Sequence, residues 1–113
     1  MMESMCNYSN NDNSLDDAFV AVIEPVSSKA DLLDELNVKL QFPPYFGFNW
    51  DSLHELLRDF YWISQKNIII VHNGLSLPPK DYDTYMFIVN NSERFWIDYP
   101  DEHILKFHIN EGF

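Results

Sequence analysis

The chain has 113 residues, 46% hydrophobic and 16% aromatic, which is enough for one compact domain with a buried core but not for two. Seven basic residues stand against 18 acidic ones, and the net charge of -11 disfavours binding to nucleic acid or anionic membranes and favours basic partners. The single cysteine excludes an internal disulfide framework, and no run is apolar enough for a signal peptide or a membrane span, so a reduced, cytoplasmic setting is expected.

The first predicted elements are a polar arm and a strand. Residues 1–16 are rich in Asn, Ser and Asp, a composition that predicts a flexible N-terminal arm before a single domain at residues 17–113. Residues 18–23 form a continuous apolar run, which favours a strand that is covered on both faces. Pro25 ends this strand.

The next predicted element is an amphipathic helix. Ser27 or Ser28 can cap its N-terminus, and the helical spacing continues to about Leu40. The face that packs on the core is predicted to consist of Leu32, Leu33, Leu36 and Leu40.

A stiff aromatic loop and a second helix follow, and they carry the most specific pattern of the chain. Pro43 and Pro44 restrict the backbone, whereas Gly47 can adopt conformations that a side chain forbids. Asn49 is a strong candidate for the helix N-cap. The helix is predicted to pack inward through Trp50, Leu53, Leu56, Leu57 and Phe60.

The opposite face of this helix is acidic, with His54 and Arg58 beside the carboxylates. We call Asp51, Glu55 and Asp59 the acidic ridge. The helix dipole accounts for a carboxylate in the first turn but not for the two that follow. The ridge could be no more than the solvated face of an amphipathic helix, and the adjacent loop pattern is what favours a binding surface.

This loop and helix resemble the barstar family of ribonuclease inhibitors. The family pattern is a proline, an aromatic pair, Gly, a variable residue, Asn, an apolar residue, Asp and two leucine positions. The matching residues are Pro43 or Pro44, Tyr45, Phe46, Gly47, Asn49, Trp50, Asp51, Leu53 and Leu57. Outside this segment the order of elements agrees while the residues differ, so the resemblance is to the family and not to one protein.

In that family the loop and helix block the active site of a nuclease, and helix carboxylates meet the basic residues that bind RNA phosphate. The resemblance implies a partner-binding set of Tyr45, Phe46, Gly47, Asn49, Asp51, His54 and Glu55. The aromatic residues of the loop could also be core residues, with at least one of them facing outward. A carboxylate on the last helix also reaches the nuclease in the family, and Glu93 is a candidate that we leave outside the set.

The rest of the chain predicts two strands around one helix. Residues 67–71 have a β-branched apolar core and are expected at the centre of the sheet, followed by a turn at Asn73 and Gly74 without a hairpin. A largely buried helix is predicted between Pro78 and Pro100, and residues 104–109 form the last strand. Strands separated by helices imply an α/β fold, a small three-stranded parallel sheet packed with helices, and the barstar-like fold has the same order.

Catalytic, cofactor and metal sites are not predicted. The four histidines lack zinc-ligand spacing and are expected mostly at the surface or at edges. Asp51 and Glu55 share an exposed helix face without a cleft, and there is no phosphate-binding glycine loop or nucleophile elbow.

We therefore expect a non-enzymatic, cytoplasmic immunity protein that occludes the active site of a cognate toxin, in the first place a basic ribonuclease. Two alternatives are an immunity protein against a non-nuclease toxin and an acidic protein-binding regulatory module without a toxin partner. The expected partner is a protein with a basic surface, and neither nucleic acid nor a membrane is expected to bind.

Overall fold

The computed structural model describes residues 18–110, and the predicted arm at residues 1–16 lies outside them. The elements follow in the order β1 (Phe19–Ile23), α1 (Lys29–Leu40), α2 (Trp50–Leu56), β2 (Asn67–Asn73), α3 (Pro79–Ile97) and β3 (Ile104–Asn110). The strands form one parallel sheet in the order β1-β2-β3, with β2 at the centre. The predicted α/β fold with a small three-stranded parallel sheet is confirmed.

The helices of the described residues cover one face of this sheet and leave the other open. Ala21 and Ile23 of β1 are buried beneath the helices, as are Ile68 and Ile70 of β2, whereas Val20 on the other face is 55% exposed. Right-handed crossovers between strands that follow each other in chain order place all connecting helices on the same side. The prediction that β1 is covered on both faces is therefore wrong, because β1 is an edge strand with one open face.

The boundaries of α1 follow from its caps. The Ser28 hydroxyl accepts the N–H of Asp31 at 3.1 Å, which settles the choice of N-cap. Gln41 ends the helix in the left-handed conformation, with φ 56°. The predicted core-facing leucines Leu32, Leu33, Leu36 and Leu40 are all buried.

The long helix α3 is less buried than predicted. It begins at Pro79, a first-turn position that suits proline, and the Trp96 indole donates to the carbonyl of Leu57 at 2.8 Å. Tyr85 is fully buried, but Phe87 is 62% exposed. No helix among the described residues is long and apolar enough to cross a membrane.

Two of the four histidines are buried, contrary to expectation. His72 shares the inward side of β2 with Ile68 and Ile70, because alternate residues of a strand face the same way. Its Nε2 lies 2.7 Å from the Tyr85 hydroxyl, and burial lowers the pKa of His72 to about 4. His103 is also buried, and its Nδ1 lies 2.9 Å from a backbone carbonyl.

Candidate partner-binding surface

A set of hydrogen bonds ties the aromatic loop to the first turn of α2. Asn49 is the N-cap, and its Oδ1 accepts the N–H of Ser52 at 2.8 Å. The Ser52 hydroxyl accepts the N–H of Gly47 at 2.9 Å, and the Asn49 amide donates to the Gly47 carbonyl at 3.2 Å. A Cβ at position 47 would lie 2.9 Å from Asn49 Nδ2, so any other residue there would have to displace the Asn49 amide.

The aromatic residues of the loop divide between core and surface. Phe46 is buried, with its ring centroid 4.7 Å from those of both Phe42 and Phe48. Tyr45 is 63% exposed and Phe48 is 49% exposed. Of the predicted aromatic contact pair, the Tyr45 side chain is open to a partner, whereas Phe46 supports the loop from below.

Helix α2, which carries Asp51 and Glu55, is shorter than predicted. It ends at Leu56, residues 57–59 form a turn, and Phe60 has a left-handed φ of 49°. Leu57 and Phe60 are nevertheless buried, as predicted from the helical spacing, although both lie after the end of the helix. Asp59 therefore projects from the turn and not from α2.

The ridge carboxylates remain available for a partner. Asp51, Glu55 and Asp59 are all exposed, and no ion pair joins any of them to another described residue. The described ion pair lies elsewhere, between Lys39 and Glu35 on α1 at 3.5 Å. A cationic surface could therefore approach the ridge without first displacing a protein cation.

Tyr61 lies beside the acidic ridge, and it was not among the predicted site residues. A side-chain hydrogen bond with Tyr61 is the largest cause that raises the pKa of Tyr45 to about 12, and the nearby charges of Asp59 and Glu55 act in the same direction. Tyr61 is 64% exposed. The sequence did contain one indication that the Tyr61 side chain faces outward, since Tyr61 directly follows Phe60, which was predicted to face inward.

His54 connects α2 with α3. Its Nε2 lies 2.7 Å from Oδ1 of Asn91, and its ring meets the Phe87 ring edge-on at a centroid distance of 5.9 Å. Arg58 reinforces this part of the surface, because its Nε donates to the His54 carbonyl at 3.1 Å. The sequence marked His54 as a site residue but gave no indication of its two partners on α3.

Glu93, the last-helix candidate that we leave outside the predicted set, makes a hydrogen bond within the chain. Its Oε2 accepts the backbone N–H of Phe107 at 2.8 Å. Successive residues of a strand direct their backbone N–H and C=O groups to opposite sides. Ile104 and Asn110 form backbone hydrogen bonds with residues near the two ends of β2, so Phe107, which has the other parity, directs its N–H away from β2. Glu93 therefore covers part of the free edge of β3, where strands otherwise invite pairing with another chain.

Among residues 18–110, no group of three or more His, Cys, Asp or Glu side chains is placed to hold a metal ion. The carboxylates instead line an open surface with exposed aromatic rings beside them, an arrangement suited to binding a cationic protein surface.

Comparison with known families identifies a match over most of the chain. The family model described as barstar (barnase inhibitor) matches residues 17–109, which include the loop, all three helices and nearly all of β3. No curated protein gives a significant match to the chain.

Proposed function

This chain belongs to the barstar (barnase inhibitor) family, and on that premise we propose that it is an immunity protein that occludes the active site of a cognate toxin inside the producing cell. The toxin is proposed to be a basic ribonuclease. The observation that carries the proposal is the set of exposed ridge carboxylates beside the aromatic loop, none of which forms an ion pair with another residue of the described range 18–110.

Electrostatics favours this partner. A ribonuclease must bind RNA phosphates and therefore presents cations in its active site, which the field of a chain with net charge -11 attracts over long distances. Asp51 and Glu55 would meet those cations in place of phosphates. Exclusion of water from the pairs strengthens the interaction and also makes the loss of either partner costly.

The seven predicted site residues would contribute in three ways. Tyr45, Asp51, His54 and Glu55 offer side chains to the partner, and Gly47 offers an exposed backbone. Asn49 is exposed, and it also supports the loop because each end of its amide makes a hydrogen bond within the chain. Phe46 contributes indirectly, because it supports the loop by packing against Phe42 and Phe48.

The proposal predicts inhibition by one-to-one binding without turnover. The protein encoded directly upstream of this chain, here called the upstream protein, is the natural probe, since an immunity gene is expected to follow its toxin gene. Titration of this chain into a fixed amount of the upstream protein, with RNA cleavage as the readout, should give a break near equimolarity.

Three results would contradict the proposal in different ways. Complete inactivation by trace amounts of the chain would indicate that it modifies the toxin chemically. Equimolar inhibition of an upstream protein that does not cleave RNA would support the immunity role and exclude a ribonuclease. If the upstream protein does not bind this chain, it is not the cognate toxin and the proposed partner is wrong.

A further inference from the structure

Phe87 is a large apolar side chain that the fold leaves open beside the acidic ridge. It is 62% exposed, whereas Tyr85, Ile88 and Val89 around it on α3 are buried in the core. Its described ring contact is with His54 of α2. The core of this chain does not need the Phe87 ring, so its burial is available to a partner.

The position of Phe87 is fixed by the connection between the two helices. His54 contacts the Phe87 ring and lies 2.7 Å from Asn91, which is one helical turn beyond Phe87. Phe87, Asn91 and His54 thus form a small unit that bridges α2 and α3. An aromatic side chain held in this way loses little conformational freedom when a partner covers it.

This unit is continuous with the proposed interface but differs from it in charge. His54 directly precedes Glu55 and lies one turn beyond Asp51, so Phe87 stands at the border of the ridge. Asn90 and Asn91 beside it on α3 are uncharged. The surface therefore changes from anionic on α2 to a local apolar and uncharged patch at Phe87, Asn90 and Asn91 of α3. The exposed charges of Asp83 and Arg94 lie one helical turn to either side of this patch.

We infer that Phe87 is a second, apolar anchor of the partner interface, and that it receives an uncharged apolar rim next to the toxin's basic active site. The inference rests on the proposed function. Aromatic residues in the buried part of an interface carry a large share of the affinity, and they do so by excluding water and not through long-range charge.

The two anchors can be separated by their response to salt. Phe87→Ala should weaken binding of the upstream protein by roughly tenfold to a hundredfold, mainly through faster dissociation, and by the same factor at low and at high ionic strength. The weakening caused by Glu55→Ala should shrink as salt rises, because screening reduces what the charge contributes in the wild type. Phe87→Leu, which keeps an apolar side chain, should fall between wild type and Phe87→Ala.

Val20→Ala is the control, since Val20 is an exposed apolar residue on the uncovered face of the sheet, opposite the helices. It should bind like the wild type, and thermal melting should show that the Phe87 variants remain folded.

If Glu55→Ala weakens binding while Phe87→Ala binds like the wild type, the apolar anchor is wrong and the proposed function stands. If the loss caused by Phe87→Ala falls with salt as the Glu55→Ala loss does, the effect is electrostatic and the inference also fails. If neither variant weakens binding, the interface of the proposed function is itself misplaced.

Discussion

The Ser52 hydroxyl accepts the backbone N–H of Gly47 at 2.9 Å, so the first turn of α2 holds the loop that precedes it. Asn49 completes this connection by accepting the Ser52 N–H and donating to the Gly47 carbonyl. The loop and the acidic ridge are therefore one unit, and a change in the cap should disturb both.

Asn49→Ala should lower the free energy of unfolding by about 1 kcal/mol, because an N-cap side chain is lost. It should also weaken binding of the upstream protein, since the loop loses two of its hydrogen bonds. Urea denaturation gives the stability change, and Asn90→Ala, which changes an exposed asparagine within α3, is the matched control for this stability measurement alone. Equal stability of the two variants would contradict the capping role.

The buried pair of His72 and Tyr85 predicts a specific loss of stability in acid. Burial holds the pKa of His72 at about 4, below its unfolded value of 6.5, so the folded state favours the neutral ring. This contribution is fully present above pH 6.5 and is lost as the pH falls toward 4, by on the order of 3 kcal/mol.

His72→Gln should reduce this pH dependence, because glutamine does not titrate while its amide can still reach the Tyr85 hydroxyl. The free energy of unfolding should be measured for both proteins between pH 7 and pH 4, a range set by the two pKa values. The carboxylates of the chain titrate in both proteins, so the difference between the two curves isolates His72. Parallel curves would show that the buried histidine does not control acid stability.

Glu93→Ala should destabilise the fold without weakening partner binding. The substitution leaves the Phe107 N–H without its carboxylate acceptor, at a cost on the order of 1 to 3 kcal/mol for a charge-assisted hydrogen bond. Calorimetric melting and a binding titration of the same sample separate the two effects. Unchanged melting together with weaker binding would place Glu93 in the interface instead of at the sheet edge.

Much of the fold could be predicted from the sequence because its signals are local. Ser28 and Asn49 are caps that act within one turn, and the β-branched run in β2 marks a strand without reference to the rest of the chain. The position of β2 at the centre of the sheet was also predicted correctly, from its β-branched apolar run.

The features that were missed depend on how distant segments meet. The open face of β1 follows from the strand order of the whole sheet, which a single apolar run does not encode. Phe87 and Tyr61 are aromatic like the core residues, and their exposure became clear only from the folded chain. The burial of His72 could have been predicted, since it shares strand parity with Ile68 and Ile70.

The ridge needs a control for charge that does not disturb the fold. Glu35 is unsuitable, because its Oε1 accepts the N–H of Glu24 at 3.2 Å and pairs with Lys39. Glu24 itself is exposed beyond the end of β1, and its side chain has the same length and charge as that of Glu55. Glu24→Ala therefore removes one negative charge away from the proposed interface.

The most direct test of the account is the dissociation constant of the upstream protein for wild type, Glu55→Ala and Glu24→Ala, measured by calorimetry at one salt concentration. Removal of Glu55 should strand a desolvated cation on the toxin and weaken binding by about 2 to 5 kcal/mol, whereas removal of a screened charge at Glu24 should cost well under that. Both variants should melt like the wild type, since both side chains are exposed. Equal dissociation constants for the two variants would show that the acidic ridge is only a solvated helix face, and would contradict the proposed interface even though the chain belongs to the family.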